Sequence, residues 1–288
     1  MVKVKKFLSK DKTIRIASVV STDLVQAAVE HQKVSALTLT LLGRAITGAT
    51  LMASQLKEEQ VLGLHFRGAG PIQSLFTEAH YGGKVKAFCA NKMASLELGD
   101  PISAGLGEGT LEVVRSLPYQ KEPHRGTVEL VNGEIGHDIA YYLRQSYQVP
   151  SIVALSTMPN EDGCESAGGY IVELMPGYTE ETVQKLEAVQ AMAAPINDLV
   201  RKGAQAEDLV SDYLLNFEFE TFDHPHDIYY QCDCSVARVE NSVRTLGPKE
   251  LKEMIAENKT FAVTCEFCGK AYEVDQVQLQ RIYNELKA

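Results

Sequence analysis

The chain has 288 residues, with 28 Lys and Arg against 38 Asp and Glu, a formal charge of −10. That length suggests about two domains, and 45% hydrophobic with 23% charged residues is an ordinary globular mixture able to bury a core. The composition excludes wholesale disorder, a collagen-like or coiled-coil rod, and a generally basic surface for neutralising nucleic-acid phosphates.

The N-terminal stretch MVKVKKFLSKDKTIRIASVV is positively charged but has no uninterrupted apolar segment. No secretory signal is visible, and a cytoplasmic location is expected. Residues 13–20 (TIRIASVV) suit a strand, and Ser21 and Thr22 offer a hydroxyl cap for a helix bearing Leu24, Val25, Ala28 and Val29. A longer helix is expected over 36–56. It is apolar enough to invite comparison with a membrane span, but Arg44 near its middle favours a core helix and no membrane association. Strands at 61–68, 72–81 and 84–90 form an expected antiparallel meander, turned by Gly68-Ala69-Gly70-Pro71 and Gly82-Gly83. Further strands are expected at 110–115, 126–131 and 169–175, with a helix near 138–145. Gly105-Leu106-Gly107-Glu108-Gly109 lacks the lysine and the strand–helix setting of a nucleotide loop and reads as a turn. Hairpins mixed with helices indicate an α+β fold, with a mixed helix and antiparallel-sheet domain over 1–178.

Residues 179–230 are expected to form a helical connector. Thr179 caps a helix bearing Val183, Leu186, Val189 and Met192, and Pro195 starts another that stops at Gly203. From 203 to 237 there is no Lys or Arg, but there are eight acidic residues and six aromatics, Tyr213, Phe217, Phe219, Phe222, Tyr229 and Tyr230. Two readings stand: a connector packed on a neighbouring domain with its acids outward, or a conditionally docked element whose aromatic face can be uncovered.

Residues 231–288 form a small module. A short strand over 227–232 leads into it, helices are expected over 235–246 and from Pro248, and strands at 260–265 and 270–274 flank a tight turn. Asp275 caps a last helix. Its signature is Cys232-x-Cys234, thirty intervening residues, then Cys265-x-x-Cys268-Gly269. Two thiolates of a Cys-x-x-Cys-Gly turn converge on one point, and side chains i and i+2 of an extended segment share a face. Four thiolates complete a closed tetrahedral shell with no open position, the arrangement of structural rather than catalytic zinc. A module this small needs such a staple. A bond between Cys232 and Cys234 would close a small ring at odds with preferred disulfide geometry, which suits a reversible sensor better than a brace. Oxidation also consumes thiolate ligands, so metal binding and sulfur oxidation exclude each other. His224 and His226 are weaker candidates as ligands, and Cys89 and Cys164 read as lone, incidental thiols.

The chain resembles the 33-kilodalton heat-shock protein family of redox-regulated holdase chaperones. The resemblance lies in Cys232-Asp-Cys234-Ser235, Thr245-Leu246-Gly247, Glu250-Leu251 and Cys265-Glu-Phe-Cys268-Gly269-Lys270 with Tyr272. It extends to Gly68-Ala69-Gly70-Pro71-Ile72, Gly109-Thr110-Leu111, Gln148-Val149-Pro150-Ser151 and 167–177. It implies an ATP-independent chaperone rather than an enzyme, kept inactive by one Zn²⁺ on Cys232, Cys234, Cys265 and Cys268. Disulfides Cys232–Cys234 and Cys265–Cys268 would then release the metal, unfold the module with its connector, and permit homodimerisation and capture of unfolded clients. The competing readings are a zinc-ribbon nucleic-acid-binding or regulatory protein and a zinc or dithiol enzyme. The module's eight basic and nine acidic residues disfavour nucleic acid, and the closed ligand set disfavours catalysis.

Overall fold

The computed structural model describes residues 2–30 and 32–287. Contacts divide the chain into two compact units, Met1–Gln231 and Cys232–Ala288. As expected, the architecture is α+β with antiparallel sheets.

In the first unit, β1 (Val4–Ser9), β2 (Ile14–Val20), β8 (Ser151–Asn160), β9 (Gly163–Leu174) and β10 (Phe219–Asp223) form one sheet, in the order β10-β1-β2-β9-β8. A second sheet has the order β11-β5-β4-β3-β6-β7. It is built from β3 (Val61–Gly68), β4 (Ser74–His80), β5 (Lys84–Cys89), β6 (Gly109–Ser116), β7 (His124–Glu129) and β11 (Tyr229–Tyr230). Strand β11 pairs with β5 in parallel, while every other pairing in these two sheets is antiparallel. The helices are α1 (Thr22–Val29), α2 (Ala36–Ala53), α3 (Ile135–Ser146), α4 (Glu180–Met192), α5 (Ile196–Arg201) and α6 (Ser211–Asn216).

Helix α2 is the hub of the main core, which includes Leu41, Leu42, Ile46, Leu64, Phe66 and Ile139. It is the one helix among the described residues long and apolar enough to cross a membrane, and 83% of its residues are buried inside the protein. Arg44 does not reach solvent freely: its guanidinium pairs with Glu134 at 2.5 Å. Ser35 caps α2, its Oγ accepting from Thr38 N–H. The cap expected at α1 differs. Ser21 stands at that position, but its hydroxyl is hydrogen-bonded to Thr47 Oγ1 at 2.7 Å and ties α1 to α2 instead.

Residues 179–230 fold onto the first unit and supply two strands besides helices. Thr179 closes a reciprocal capping box with Thr182 at the start of α4. Leu186, Val189, Ile196, Leu209 and Tyr213 form a second core with Phe7, Ile14, Ile16 and Tyr170. The Tyr170 and Tyr213 hydroxyls both donate to Gln190 Oε1. The acids of this segment meet lysines on β1 and just after it: Lys5 pairs with Glu207 and Asp223, and Lys10 with Glu218.

The second unit holds α7 (Val236–Arg244), α8 (Gly247–Ala256), the β12 (Phe261–Thr264) and β13 (Ala271–Val274) hairpin, and α9 (Gln276–Lys287). Its core is Val239, Val243, Leu251, Tyr272, Val274, Leu279 and Ile282. Asp275 caps α9, accepting from Gln278 N–H at 2.8 Å.

Candidate metal centre

Two local structures carry the clustered cysteines. Cys232 and Cys234 lie on the extended stretch before α7, and Ser235 directly after them is the helix cap, its Oγ accepting from Arg238 N–H. That cap fixes where the helix begins, and the two sulfurs before it lie within 4.8 Å of each other. Cys265 and Cys268 lie in the turn joining β12 to β13. Cys265 N–H donates to Lys270 O at 2.9 Å, and Gly269 N–H donates to Cys265 O at 2.8 Å. Gly269 closes this turn at φ +70°, a left-handed conformation that a side chain disfavours.

The four Sγ atoms lie within 4.8 Å of one another, and the cluster could hold a metal ion. The shortest separations cross between the motifs, 3.5 Å for Cys232–Cys265 and 3.4 Å for Cys234–Cys268. A tetrahedron with metal–sulfur bonds of about 2.3 Å has edges of about 3.8 Å, so the cluster has the dimensions of a closed thiolate shell. All six cysteines are free thiols, and each clustered sulfur is half-buried.

Hydrogen-bond donors surround the sulfurs. The Tyr272 hydroxyl donates to Cys234 Sγ at 3.0 Å. Backbone N–H groups of Cys234 and Lys270 reach the sulfurs of Cys232 and Cys268. For Cys234, burial pushes the thiol pKa up, but the bonds from Tyr272 and the neighbouring sulfurs outweigh it and leave the group below the ordinary thiol range. Cys232 and Cys268 are pushed up, burial being the largest cause.

Cys89 and Cys164 are elsewhere, buried in the first unit. Burial raises their thiol pKa values to about 11 and about 12, which suppresses the nucleophilic thiolate. His224 stands outside the sulfur cluster: it is buried, with Nε2–H donating to Tyr81 O at 3.0 Å. The contribution of Tyr272 is the one that spacing of cysteines alone could not reveal. Its alternating position with Val274 on β13 marks it only as a core residue.

A family model described as Hsp33 protein matches residues 3–275. A 33 kDa chaperonin of Thermoanaerobacter sp. (strain X514) is 34% identical over 269 residues, 91% of each chain. One from Shouchella clausii is 33% identical over 284 residues, 96% of each. The crystal structure of a 33 kDa chaperonin (heat shock protein 33 homolog) from Thermotoga maritima matches with a TM-score of 0.88 at 28% identity, covering 98% of both chains. The family match thus spans both compact units, including the stretch that holds the four clustered cysteines: the chain belongs to the Hsp33 family.

Proposed function

We propose that this protein is a redox-gated, ATP-independent holdase, a binding protein rather than an enzyme, acting in the cytoplasm on proteins that unfold under oxidative stress. The observation that carries the reading is the sulfur cluster, four thiols within 4.8 Å of one another in a unit whose core, among the described residues, has seven buried side chains. Cys232, Cys234, Cys265 and Cys268 would hold one Zn²⁺ in the reduced, inactive form. When bound, the ion supplies a cross-link between the chain before α7 and the β12–β13 turn, with an apparent binding energy on the order of 10–16 kcal/mol.

Oxidation by peroxide forms each disulfide with loss of two thiol protons and two electrons, and the peroxide is reduced to two waters. The proposed bonds are Cys232–Cys234 and Cys265–Cys268. The nearest sulfurs are those across the motifs, so distance alone does not select this pairing. Its physical support is the outcome. A bond across the motifs closes a loop of more than thirty residues and would brace the unit as the metal does. Bonds within the motifs close tiny loops, leave the two halves unconnected, and remove every metal ligand. The unit then loses its staple, the adjoining acidic and aromatic segment loosens, and apolar surface becomes available to clients and to a second copy of the chain.

The test is to expose the reduced, zinc-loaded full chain to peroxide under mildly unfolding conditions. Zinc release is followed with a chromophoric chelator, and light scattering of a heat-denatured client is followed in parallel. Coupled release and protection, both reversed by a dithiol, are expected. Equal protection before and after oxidation, or oxidant-independent binding to DNA or RNA, would overturn the reading.

A further inference from the structure

The unit Met1–Gln231 contains a cationic recess unrelated to the sulfur cluster. A cavity of about 220 Å³ is walled by Arg15, Gln55, Arg115, Leu143, Tyr147 and Glu173, among others. Two buried N–H donors in this wall, Gln55 Nε2 and Arg115 Nε, have no hydrogen-bond partner. Buried donors of this kind are ordinarily satisfied, by protein, water or a ligand. Glu173, the carboxylate in the wall, is already engaged, accepting from Arg15 Nε at 2.8 Å.

A second cavity, of about 470 Å³, shares Arg115 and Tyr147 with the first and adds Lys57, His124, Arg125 and Tyr142. Among the described residues, no carboxylate lines it. Arg125 is paired with Glu112, but neither Lys57 nor Arg115 has a carboxylate partner among the described residues. Arg115 instead donates through its terminal nitrogen to Gln60 Oε1 at 2.6 Å. That bond anchors one end of the guanidinium, which lines both cavities. In a chain of net charge −10 this concentration of unpaired cations is unexpected. The neighbouring Lys6 ammonium is held below the usual lysine range chiefly by burial, with Arg15 adding to the shift and Glu173 opposing it.

We infer that this recess binds a small organic oxyanion, a phosphoryl or carboxylate group held by the side chains of Arg115, Gln55 and Arg15. Its organic body lies in the larger cavity against Tyr142 and Tyr147. An oxyanion is the chemistry that fits, because the vacant valences are all donors and the unbalanced charge is positive. The combined space is that of a small-molecule site, not of a polymer groove.

The probes are phenyl phosphate and benzoate, which share a ring and differ in the anionic group. Binding to the reduced, zinc-loaded full chain is measured by equilibrium dialysis, with ionic strength held by sodium chloride, and for the phosphate also by phosphorus-31 line broadening. Saturable one-to-one binding of at least one probe is expected, and the tighter probe identifies the source of the anion. Arg115→Gln should weaken it about 10- to 100-fold, the usual consequence of losing a charge-assisted hydrogen bond. Gln55→Glu, nearly isosteric, should do at least the same by placing a carboxylate where a donor stood. Zinc content and melting temperature establish that both variants fold. Absence of saturation for both probes would show that the recess holds water only. Binding that vanishes at matched ionic strength, or that survives both substitutions in folded protein, would equally overturn the assignment.

Discussion

Tyr272→Phe tests whether the sulfur cluster is tuned by its surroundings or merely assembled from four cysteines. The substitution removes one atom, the hydroxyl that donates to Cys234 Sγ at 3.0 Å. It leaves the ring in the core beside Val274 and Leu279. Removing a partner that supports a metal ligand typically lowers metal affinity 10- to 100-fold. The lower end, about tenfold, is expected here, because Cys232 and Cys268 keep their backbone donors. The freed sulfur is also a less stabilised thiolate, so peroxide should release zinc several-fold faster. Affinity is measured by chelator competition, and release by stopped mixing with the same chelator. Any loss of stability in this unit would weaken zinc binding through linkage, so Leu251→Ala serves as the comparison. Leu251 is fully buried in the core of the same unit and donates no hydrogen bond to a sulfur; its truncation should destabilise by about 2–5 kcal/mol. In cobalt-loaded protein, Tyr272→Phe should shift the thiolate-to-metal charge-transfer band, whereas Leu251→Ala should not. An unshifted band together with unchanged affinity and release in Tyr272→Phe would refute a tuning role for the hydroxyl.

Two predictions concern the first unit. Glu78 is pushed upward by burial, but hydrogen bonds from His80 and Lys86 outweigh this and bring its carboxyl from 4.5 to about 2. A depressed folded-state pKa stabilises above the unfolded value, so its contribution, about 3 kcal/mol, is complete above pH 4.5 and lost as pH falls through 2. Glu78→Gln should flatten the stability profile of denaturant titrations across that window, and an unchanged slope would count against the assignment. At Gly83, φ is +88° and an added Cβ would stand 2.0 Å from Asp227 O. Gly83→Ala should therefore destabilise by at least about 2 kcal/mol. It should also raise amide exchange over 227–231 while leaving zinc content intact; preserved protection there would show that the turn does not hold that segment.

Much of this fold is legible because single segments carry complete signals. Val61–Gly68 has alternation, flanking turn residues and a glycine stop, and the strand falls where those mark it. Helix α2 has an apolar run too long for a strand and a serine cap. The cysteine constellation is legible for the same reason, since its chemistry needs only residue type and spacing. Where meaning depends on a distant partner, the sequence is silent. Strand β1 hides among lysines whose counterions arrive on β10 more than 200 residues later, with Lys5 opposite Asp223 in register. Strand β8 contains Pro159 and pairs only with β9, and the register shifts between Met158 and Pro159. A proline at that bulge on an edge strand is tolerated, but in the sequence it argues against a strand. Strand β11 is two residues long and exists only because β5 offers its edge.

The same edge strands determine how far the proposed switch would propagate. Gln231 N–H donates to Val85 O, and Cys232 is the next residue, so the last backbone bond into the second sheet adjoins the first sulfur. Moving back along the chain, β11 spans two residues and β10 is exposed at four of its five positions. Exposed ion pairs such as Lys5–Asp223 and Lys10–Glu218 are screened by solvent and hold it weakly. Helix α6 is different in kind, because Tyr213 is fully buried and its hydroxyl donates to Gln190 at 2.6 Å. Loss of structure starting at Cys232 therefore meets only two small anchors, the buried side chains of Ile228 and His224, before it reaches Tyr213. Hydrogen exchange after oxidation should rise first over 217–231 and only later, or not at all, over 186–213. Simultaneous deprotection of both stretches would mean that the connector and its helices release as one cooperative body, and that edge bonding does not set the order.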